Sequence, residues 1–184
     1  EHSAQVTGEV FLCPEADDWT STRNSPYGYN YQFLGNSRLS DSADITSFKN
    51  WPVKMNAVRS PSACVAIADC MGTAASFRPR FRKAYQNNSR DKDRFGNEGF
   101  NLDPPKVDPT NGEMAGFTSS PQVRTALDER HNNRGNVLWV DGHTSAETLK
   151  SLGYQLNEDK TVGLNGNNRK WHTDQKDEAW VQGE

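Results

Sequence analysis

The chain has 184 residues, enough for one domain with a sizeable core, because a domain of this size buries roughly 70% of the surface of its unfolded chain. Its formal net charge of -3, from 21 basic and 24 acidic residues, provides no broad positive field for a nucleic acid or another polyanion. Hydrophobic residues make up only 33% of the chain and no run of about 18 apolar residues occurs, so we expect a single loop-rich domain over residues 1–184 with no membrane span among them.

Short apolar runs in the first half of the chain predict strands of a small sheet. Residues 10–12 make one such run, which Pro14 and the acidic residues after it bring to an end. Aromatic side chains then recur at alternate positions, a period typical of a strand with one face packed inward: Tyr27, Tyr29, Tyr31 and Phe33. The same spacing also suits a ladder of rings that stacks on a glycan.

The next segments predict a helical turn and two more strands. One turn of helix is expected just before Pro52, and two strand-like runs lie on either side of the turn residues 60–62. The second run, residues 65–68, is apolar on both faces, which indicates a strand inside the sheet. Asp69 follows directly, so a carboxylate stands at the end of a buried strand.

Residues 72–122 are polar and rich in turn-forming residues, which predicts a long irregular loop region. A compact domain seldom contains so long a connection without a role or short elements of its own. Asp91, Asp93 and Gly96 fit the start of a calcium-binding loop, but an aromatic residue occupies one ligand position and Leu102 stands where the bidentate Glu should be. We therefore do not expect calcium there.

The nearest thing to a basic patch lies at the start of this loop region, where basic residues alternate with rings: Arg78, Arg80, Phe81, Arg82, Lys83, Tyr85 and Arg90. Such a mixture suits single-stranded nucleic acid, whose phosphates pair with arginine and whose bases stack on rings. Acidic residues follow at once, however. We therefore expect a solvated loop and no nucleic-acid partner.

The last unit predicted is a strand, a tight turn and a short helix. Residues 136–140 combine β-branched, aliphatic and aromatic side chains, as a buried strand does. Thr144 and Glu147 have the spacing of a capping box, and Gly153 is a natural end for the helix. A polar tail follows, with two large rings that we expect to cover the sheet or dock on its edge: residues 165–184, with Trp171 and Trp180.

Three cysteines leave one unpaired if any two form a disulfide: Cys13, Cys64 and Cys70. Cys64 and Cys70 bound a run of strand that would hold them about 20 Å apart, far beyond the span of a disulfide. Cys13 could pair with either of them, or with a cysteine upstream of the first residue. Because no C-x-x-C motif occurs, we expect no structural zinc site.

The stretch RHNNRGNVLWVDGH, residues 130–143, carries the most specific expectation. Gly142 tolerates the positive φ of a tight turn, and the Asp141 carboxylate can accept hydrogen bonds from backbone N–H groups of that turn. His131 stands ten residues before Asp141, so the two can meet only if the loop between them folds back.

Asp69 extends this expectation to the other buried strand. If the two strands are neighbours and run in the same sense, Asp69 and Asp141 emerge at the same edge of the sheet, where Arg130 and His131 can neutralise them. We expect a structural network with no catalytic, cofactor-binding or metal-binding role, formed by His131, Asp141, Gly142, Arg130 and Asp69.

A histidine, nine residues and then Asp-Gly, here His131 and Asp141-Gly142, resembles the signature of the bacterial prepilin-type proteins named for their H-X9-DG motif. The segments VFLCPEA, YGYNY and SPSACVAIADC are similar to that family's usual order of a Cys-Pro segment, a Tyr/Asn-rich segment and a strand that ends in Asp. The resemblance covers most of the chain.

This resemblance implies a type IV pilin-like or pseudopilin-like subunit, with no enzymatic activity and no cofactor. Such a subunit has a cleaved hydrophobic N-terminal helix that anchors and polymerises, followed by an exported globular domain. The present residues would be that domain without its helix: α+β, with a small, mostly antiparallel sheet, long loops and few short helices. Its partners would be copies of itself or related subunits in a cell-surface or secretion-associated filament, and an exported setting permits a disulfide through Cys13.

Two other functions remain open on the residues alone. A secreted module could bind a glycan or a partner protein through exposed rings such as Trp19, Tyr27, Tyr29 and Trp51. A metal-assisted hydrolase could use mixed nitrogen and oxygen ligands, which suit zinc or a similar metal: His131, His143, Asp141 and Asp69. No nucleophile motif such as G-x-S-x-G and no H-E-x-x-H accompanies them.

Overall fold

We describe the fold from a computed structural model of the chain. The structure describes residues 12–16, 24–37, 49–50, 52–84, 91–106 and 123–179. Its strands are β1 (Tyr27–Tyr29), β2 (Asn36–Ser37), β3 (Lys49–Asn50), β4 (Val65–Asp69), β5 (Gly135–Trp139) and β6 (Thr144–Glu147). Helix α1 (Tyr31–Leu34) is a single turn, and the 3-10 helices are Met55–Ala57, Pro61–Ala63, Gly72–Ser76 and Pro79–Phe81.

The main sheet has four antiparallel strands in the order β1-β4-β5-β6, and β2 pairs with β3 in a second, two-stranded sheet. With few short helices around it, this architecture agrees with the expected small α+β domain. Within the described ranges, no helix combines the length and the apolar character needed to cross a membrane.

Strands β4 and β5 are antiparallel neighbours, and this direction decides where the charged residues lie. Ala68 pairs with Val137 and Val65 with Trp139, so the end of β4 lies beside the start of β5. Asp69 therefore emerges where the chain enters β5, and Asp141 emerges at the opposite end of the sheet. The condition that both strands run in the same sense is not met.

The hairpin between β5 and β6 replaces the helix expected from Thr144. The Gly142 N–H donates to the Trp139 carbonyl at 2.9 Å, and the Trp139 N–H donates to the His143 carbonyl at 3.0 Å. With Gly142 at a φ of 93°, these bonds close a three-residue hairpin loop. The capping-box prediction is wrong because Thr144–Glu147 pair with β5 as strand β6. The Glu147 carboxylate accepts from the Ser145 hydroxyl at 2.9 Å on one face of that strand.

The aromatic alternation of the YGYNYQF segment also differs from the expected pattern. Gly28 and Asn30 are buried, whereas Tyr29 is 37% exposed, so the aromatic residues of β1 do not form its inward face. A Cβ at Gly28 would lie 2.7 Å from the Gly99 carbonyl oxygen, which is why the inner face has no side chain there. The strand ends at Tyr29. The next two aromatic residues, Tyr31 and Phe33, belong to helix α1, and both of their side chains are buried.

Other short elements were predicted with mixed success. The strand at residues 65–68 is confirmed as β4, but only one of its faces is buried, since Ile67 is exposed. The strand-like run before it contains the 3-10 helix Met55–Ala57. The helical turn expected before Pro52 falls partly on residues outside the described ranges, and Lys49–Asn50 form β3 instead. Residues 10 and 11 of the first apolar run also lie outside the description.

The core is built from both sheet strands and loop residues. Its fully buried members include Val65, Ala75, Leu102, Val137, Leu152 and Trp171. Two of these belong to the described parts of the loop region 72–122 and one to the described part of the tail 165–184, so these parts pack into the core. The expectation that Trp171 covers the sheet agrees with its burial in this core, and Trp180 lies outside the described residues.

Candidate functional site

Asp69 is the centre of the charged cluster at the end of β4, and its side chain has no exposure to solvent. Its Oδ1 lies 2.5 Å from Nη2 of Arg130, and its Oδ2 accepts from the Asn136 backbone N–H at 2.6 Å. Its backbone carbonyl accepts from the Asp128 N–H at 3.0 Å. The carboxylate therefore connects β4 to both sides of the loop that leads into β5.

Arg130 connects the Asp69 carboxylate to the segment before β1 and to the segment before β5. Besides Asp69, its guanidinium donates to Asp128 Oδ2 at 3.0 Å and to the Pro26 carbonyl at 2.6 Å. Burial alone would lower the pKa of Arg130, but the neighbouring Asp69 and Asp128 outweigh it, so that this pKa is raised. Burial raises the pKa of Asp128, although Arg130 opposes the rise.

His131 and Cys13 close the cluster on its outer side. The His131 Nε2 lies 3.3 Å from Asp69 Oδ2 and 3.5 Å from Cys13 Sγ. The loop does fold back as the NNRG segment predicts: His131 and Arg134 exchange backbone hydrogen bonds of 2.9 and 3.1 Å, and Asn132 and Asn133 have positive φ. The fold-back, however, delivers His131 to Asp69.

The predicted contact between His131 and Asp141 is wrong. Asp141 lies in the exposed hairpin loop, where its Oδ1 is 2.6 Å from Nδ1 of His143. Hydrogen bonds from His143 lower the pKa of Asp141. The two halves of the signature therefore act at opposite ends of β5: Arg130 and His131 hold Asp69, while Asp141 and Gly142 shape the turn.

Because of this separation, the four side chains considered as metal ligands of a hydrolase do not lie together. His131 and Asp69 lie at one end of β5, and Asp141 and His143 lie at the other, so the four residues do not surround one position. The ring of His143 instead stacks on Trp139, with centroids 5.6 Å apart.

A Cys-His-Asp arrangement raises the question of nucleophilic catalysis. A catalytic base uses one ring nitrogen toward the nucleophile and the other toward its orienting carboxylate. Here Nε2 of His131 faces both the Cys13 thiol and Asp69. Cys13 is only 2% exposed, which leaves little room for a substrate at its sulfur. The geometry suits a structural cluster or a cation better than acyl transfer.

The cysteines are all free, buried thiols: Cys13, Cys64 and Cys70. Cys13 is therefore bonded to neither Cys64 nor Cys70, and a disulfide to a cysteine upstream of the first residue stays a prediction. The Cys13 sulfur accepts from Arg130 Nε at 3.3 Å. The Tyr27 ring lies beside it. Burial, and then the proximity of Cys13 and Asp69, raises the pKa of Tyr27 against the opposing effect of Arg130.

Most other residues considered in the sequence have ordinary structural partners. The Tyr29 hydroxyl donates to the Leu34 carbonyl at 2.9 Å. In the basic patch, Arg78 pairs with Asp159 and Lys83 with Asp93, each at 2.9 Å. Leu102 of the calcium-like segment is buried in the core. Trp19, Trp51, Tyr85 and Arg90 lie outside the described residues.

Sequence reasoning missed a second buried carboxylate, Asp103. It accepts from the Tyr31 hydroxyl at 2.6 Å and from the backbone N–H groups of Arg124 and Thr125 at 2.9 and 3.0 Å. Asp103 therefore ties the loop region to α1 and to the segment before β5. The only sequence signal is an Asp between Leu102 and two prolines, which is a weak one.

Three comparisons, with protein-family models, with curated protein sequences and with solved structures, found nothing that matches this chain.

Proposed function

We propose that this chain is the globular domain of an exported, non-catalytic pilin-like or pseudopilin-like subunit, which contacts copies of itself or related subunits in a filament. The H-X9-DG resemblance supports this family, and a small antiparallel α+β domain is compatible with it. The structural tasks of the signature residues support a subunit better than an enzyme, because each of them fixes a loop or a turn of the sheet.

The observation that carries the proposal is an apolar row on the sheet face that points away from the core. Tyr29 pairs with Ile67 and Ile67 pairs with Leu138, so these side chains lie side by side on one face. Tyr29 is 37% and Ile67 36% exposed. The next row, formed by Gly28, Ala68 and Val137, is buried on the opposite face.

This row has two exposed side chains, Tyr29 and Ile67, beside the half-buried Leu138. Such a row favours association, because burying it removes apolar surface from water at about 25 cal/mol per Å². Three neighbouring strands contribute to the row, so a second subunit can pack across all three. We infer that this row, Tyr29-Ile67-Leu138, is the subunit contact of the filament.

Site-specific photo-cross-linking in the cell that makes the protein tests this function. Benzoylphenylalanine replaces Ile67 in one variant and, as the matched control, the exposed Leu156 in another; Leu156 is 46% exposed and lies outside the main sheet. We expect position 67 to cross-link to a second copy or to another pilin-like subunit in the sheared surface fraction, and position 156 to do so much less.

Two results would contradict the proposal. One is a protein that occurs only as an uncross-linked monomer, with no surface or secretion-associated fraction. The other is cross-linking of position 67 to a glycan or to an unrelated secreted protein, which would favour the binding module.

A further inference from the structure

Three side chains with different metal-binding atoms converge at the end of β4. Cys13 Sγ, a carboxylate oxygen of Asp69 and a ring nitrogen of His131 all lie within 4.8 Å of one another, the one such group found in the described part of the chain. Cys13 and His131 are 118 positions apart in the sequence. The fold, rather than local sequence, brings these three ligand types together.

The spacing of the three atoms matches that of ligands around one tetrahedral ion. Bonds of about 2.3 Å to sulfur and about 2.0 Å to nitrogen and oxygen place sulfur and nitrogen about 3.5 Å apart, and nitrogen and oxygen about 3.3 Å apart. The structure has 3.5 Å between Cys13 Sγ and His131 Nε2 and 3.3 Å between that nitrogen and Asp69 Oδ2. The same nitrogen faces both other atoms, as a shared ion requires.

We propose that Cys13, Asp69 and His131 bind a divalent transition-metal cation, with Zn²⁺ the best match to a sulfur, nitrogen and oxygen donor set. The neutral His131 ring coordinates through Nε2 with its proton on Nδ1. The Cys13 thiol releases its proton to solvent as the sulfur–metal bond forms. Three protein ligands leave a fourth position for water.

Arg130 is the obvious objection, because its guanidinium lies 2.5 Å from Asp69 Oδ1 and 3.3 Å from Cys13 Sγ. Both contacts are those of an outer-shell group, since the nearer Asp69 oxygen is not the one that faces His131. An N–H donor to a metal-bound sulfur and to the free carboxylate oxygen holds both ligands in place.

The charges of the groups in direct contact also balance with a divalent ion present, and Arg82 adds a more distant positive charge that acts on Asp128. Asp69, Asp128 and the Cys13 thiolate supply three negative charges, and Arg130 with a divalent cation supplies three positive charges. Without the ion, one guanidinium faces two carboxylates, Asp69 at 2.5 Å and Asp128 at 3.0 Å. Bringing a cation to such a site costs less than bringing it to a neutral one.

The site has a route for entry and a definite structural consequence. The His131 side chain is 28% exposed, whereas Asp69 and Cys13 are buried, so an ion enters from the His131 side. Once bound, it links residues 12–16 to the end of β4 and to the loop before β5. The metal is thus a cross-link for the N-terminal segment, in the place where the sequence suggested a disulfide.

Cobalt substitution tests the site on the whole chain. The protein is treated with a chelator and titrated with Co²⁺, whose visible bands report tetrahedral geometry and whose near-ultraviolet charge-transfer band reports a sulfur ligand. We expect one Co²⁺ per chain with both signals, displaced by one equivalent of Zn²⁺, and a higher melting temperature for the Zn²⁺-loaded protein.

Variants assign the ligands. Cys13→Ser should abolish the charge-transfer band, and His131→Gln should weaken Zn²⁺ binding more than about 100-fold, since even outer-shell substitutions cost about 10- to 100-fold. The matched controls Cys64→Ala and His143→Gln should keep both the band and the affinity.

Two results overturn the proposal: a wild-type chain without the sulfur band, or Cys13→Ser and His131→Gln variants that bind as the wild type does. If circular dichroism shows that either variant fails to fold, X-ray absorption at the zinc edge of the wild-type protein decides. One sulfur with two or three nitrogen or oxygen ligands supports the site, and a shell of oxygen and nitrogen alone overturns it.

Discussion

Arg130 and Asp69 form an ion pair that is almost completely withdrawn from solvent. Nη2 and Oδ1 are 2.5 Å apart, and the exposed fractions of the two side chains are 9% and 0%. Arg130 and the Asn136 N–H both donate hydrogen bonds to this buried carboxylate. Each partner is costly to bury without the other, so the pair is a sensitive point of the fold.

Replacing Arg130 by Met should therefore lower the free energy of unfolding by about 3–5 kcal/mol, since removal of one partner leaves a buried charge uncompensated. Urea denaturation at pH 7 measures this. The control is Arg78→Met, which removes a pair with Asp159 whose side chains are 50% and 35% exposed, and it should change stability little. Similar losses in the two variants would show that burial does not set the importance of the Arg130 pair.

His131→Ala should lower the free energy of unfolding by about 1–3 kcal/mol in the metal-free protein, because it removes a partner of Asp69 and of Cys13. A double-mutant cycle then tests whether Asp141 is a partner of His131. His131→Ala and Asp141→Ala should be additive, because the two residues lie at opposite ends of β5. A clear coupling energy between them in thermal or urea denaturation would restore the contact that the structure rejects.

How far the sequence predicts the fold is clearest at β4 and β5. Residues 65–68 and 136–140 contain mostly apolar and β-branched side chains, which favour strands, and both runs contribute to strands with one buried face. The outward face of β4 carries the exposed Ile67, so burial on both faces does not follow from an apolar run alone. The hairpin was missed because Thr144 and Glu147 satisfy the capping-box spacing as well as the pattern of a strand. The Asp-Gly turn and the pairing with β5 decide between them, and pairing is not a local property.

The site was predicted in its composition but not in its arrangement. Arg130, His131 and Asp69 do meet. This was expected because a carboxylate at the end of a buried strand needs cations beside it. Asp141 does not join them, because the direction of neighbouring strands is not encoded in either strand alone. Nothing in the sequence near Cys13 indicates its contact with His131, since 118 positions separate the two residues.

Substitution of two glycines near the ends of β5, Gly135 and Gly142, should lower the stability of the fold for two different reasons. Gly142 has a φ of 93° with nothing within 4 Å of a built Cβ, so Gly142→Ala should cost about 1–2 kcal/mol through backbone strain and Gly142→Asn less. A Cβ at Gly135 would lie 2.5 Å from both the Asp128 carbonyl oxygen and Leu127 Cδ1. Gly135→Ala should therefore cost about 1–3 kcal/mol, and Gly135→Asn more than Gly135→Ala.

Thermal denaturation of these four variants checks the distinction between backbone strain and steric conflict. Asn should improve on Ala at position 142, since Asn tolerates positive φ, and should be worse than Ala at position 135. If the Ala and Asn variants had the same order of melting temperature at both positions, a single cause would act at both glycines.

We expect the buried Cys64 thiol to make the folded protein less stable at alkaline pH. Burial raises the pKa of Cys64 from 9.0 to about 12. Below pH 9 the thiol stays protonated in the folded and in the unfolded chain. Between pH 9 and 12 the unfolded chain loses this proton, whereas the folded protein still keeps it. The stabilising effect is thus complete below pH 9 and is lost as the pH rises, by at most about 1.4 kcal/mol per pH unit. Urea denaturation from pH 8 to 10.5 should show a steeper decline for the wild type than for Cys64→Ala, which lacks the group; parallel declines would mean that the thiol ionises equally well in the folded protein.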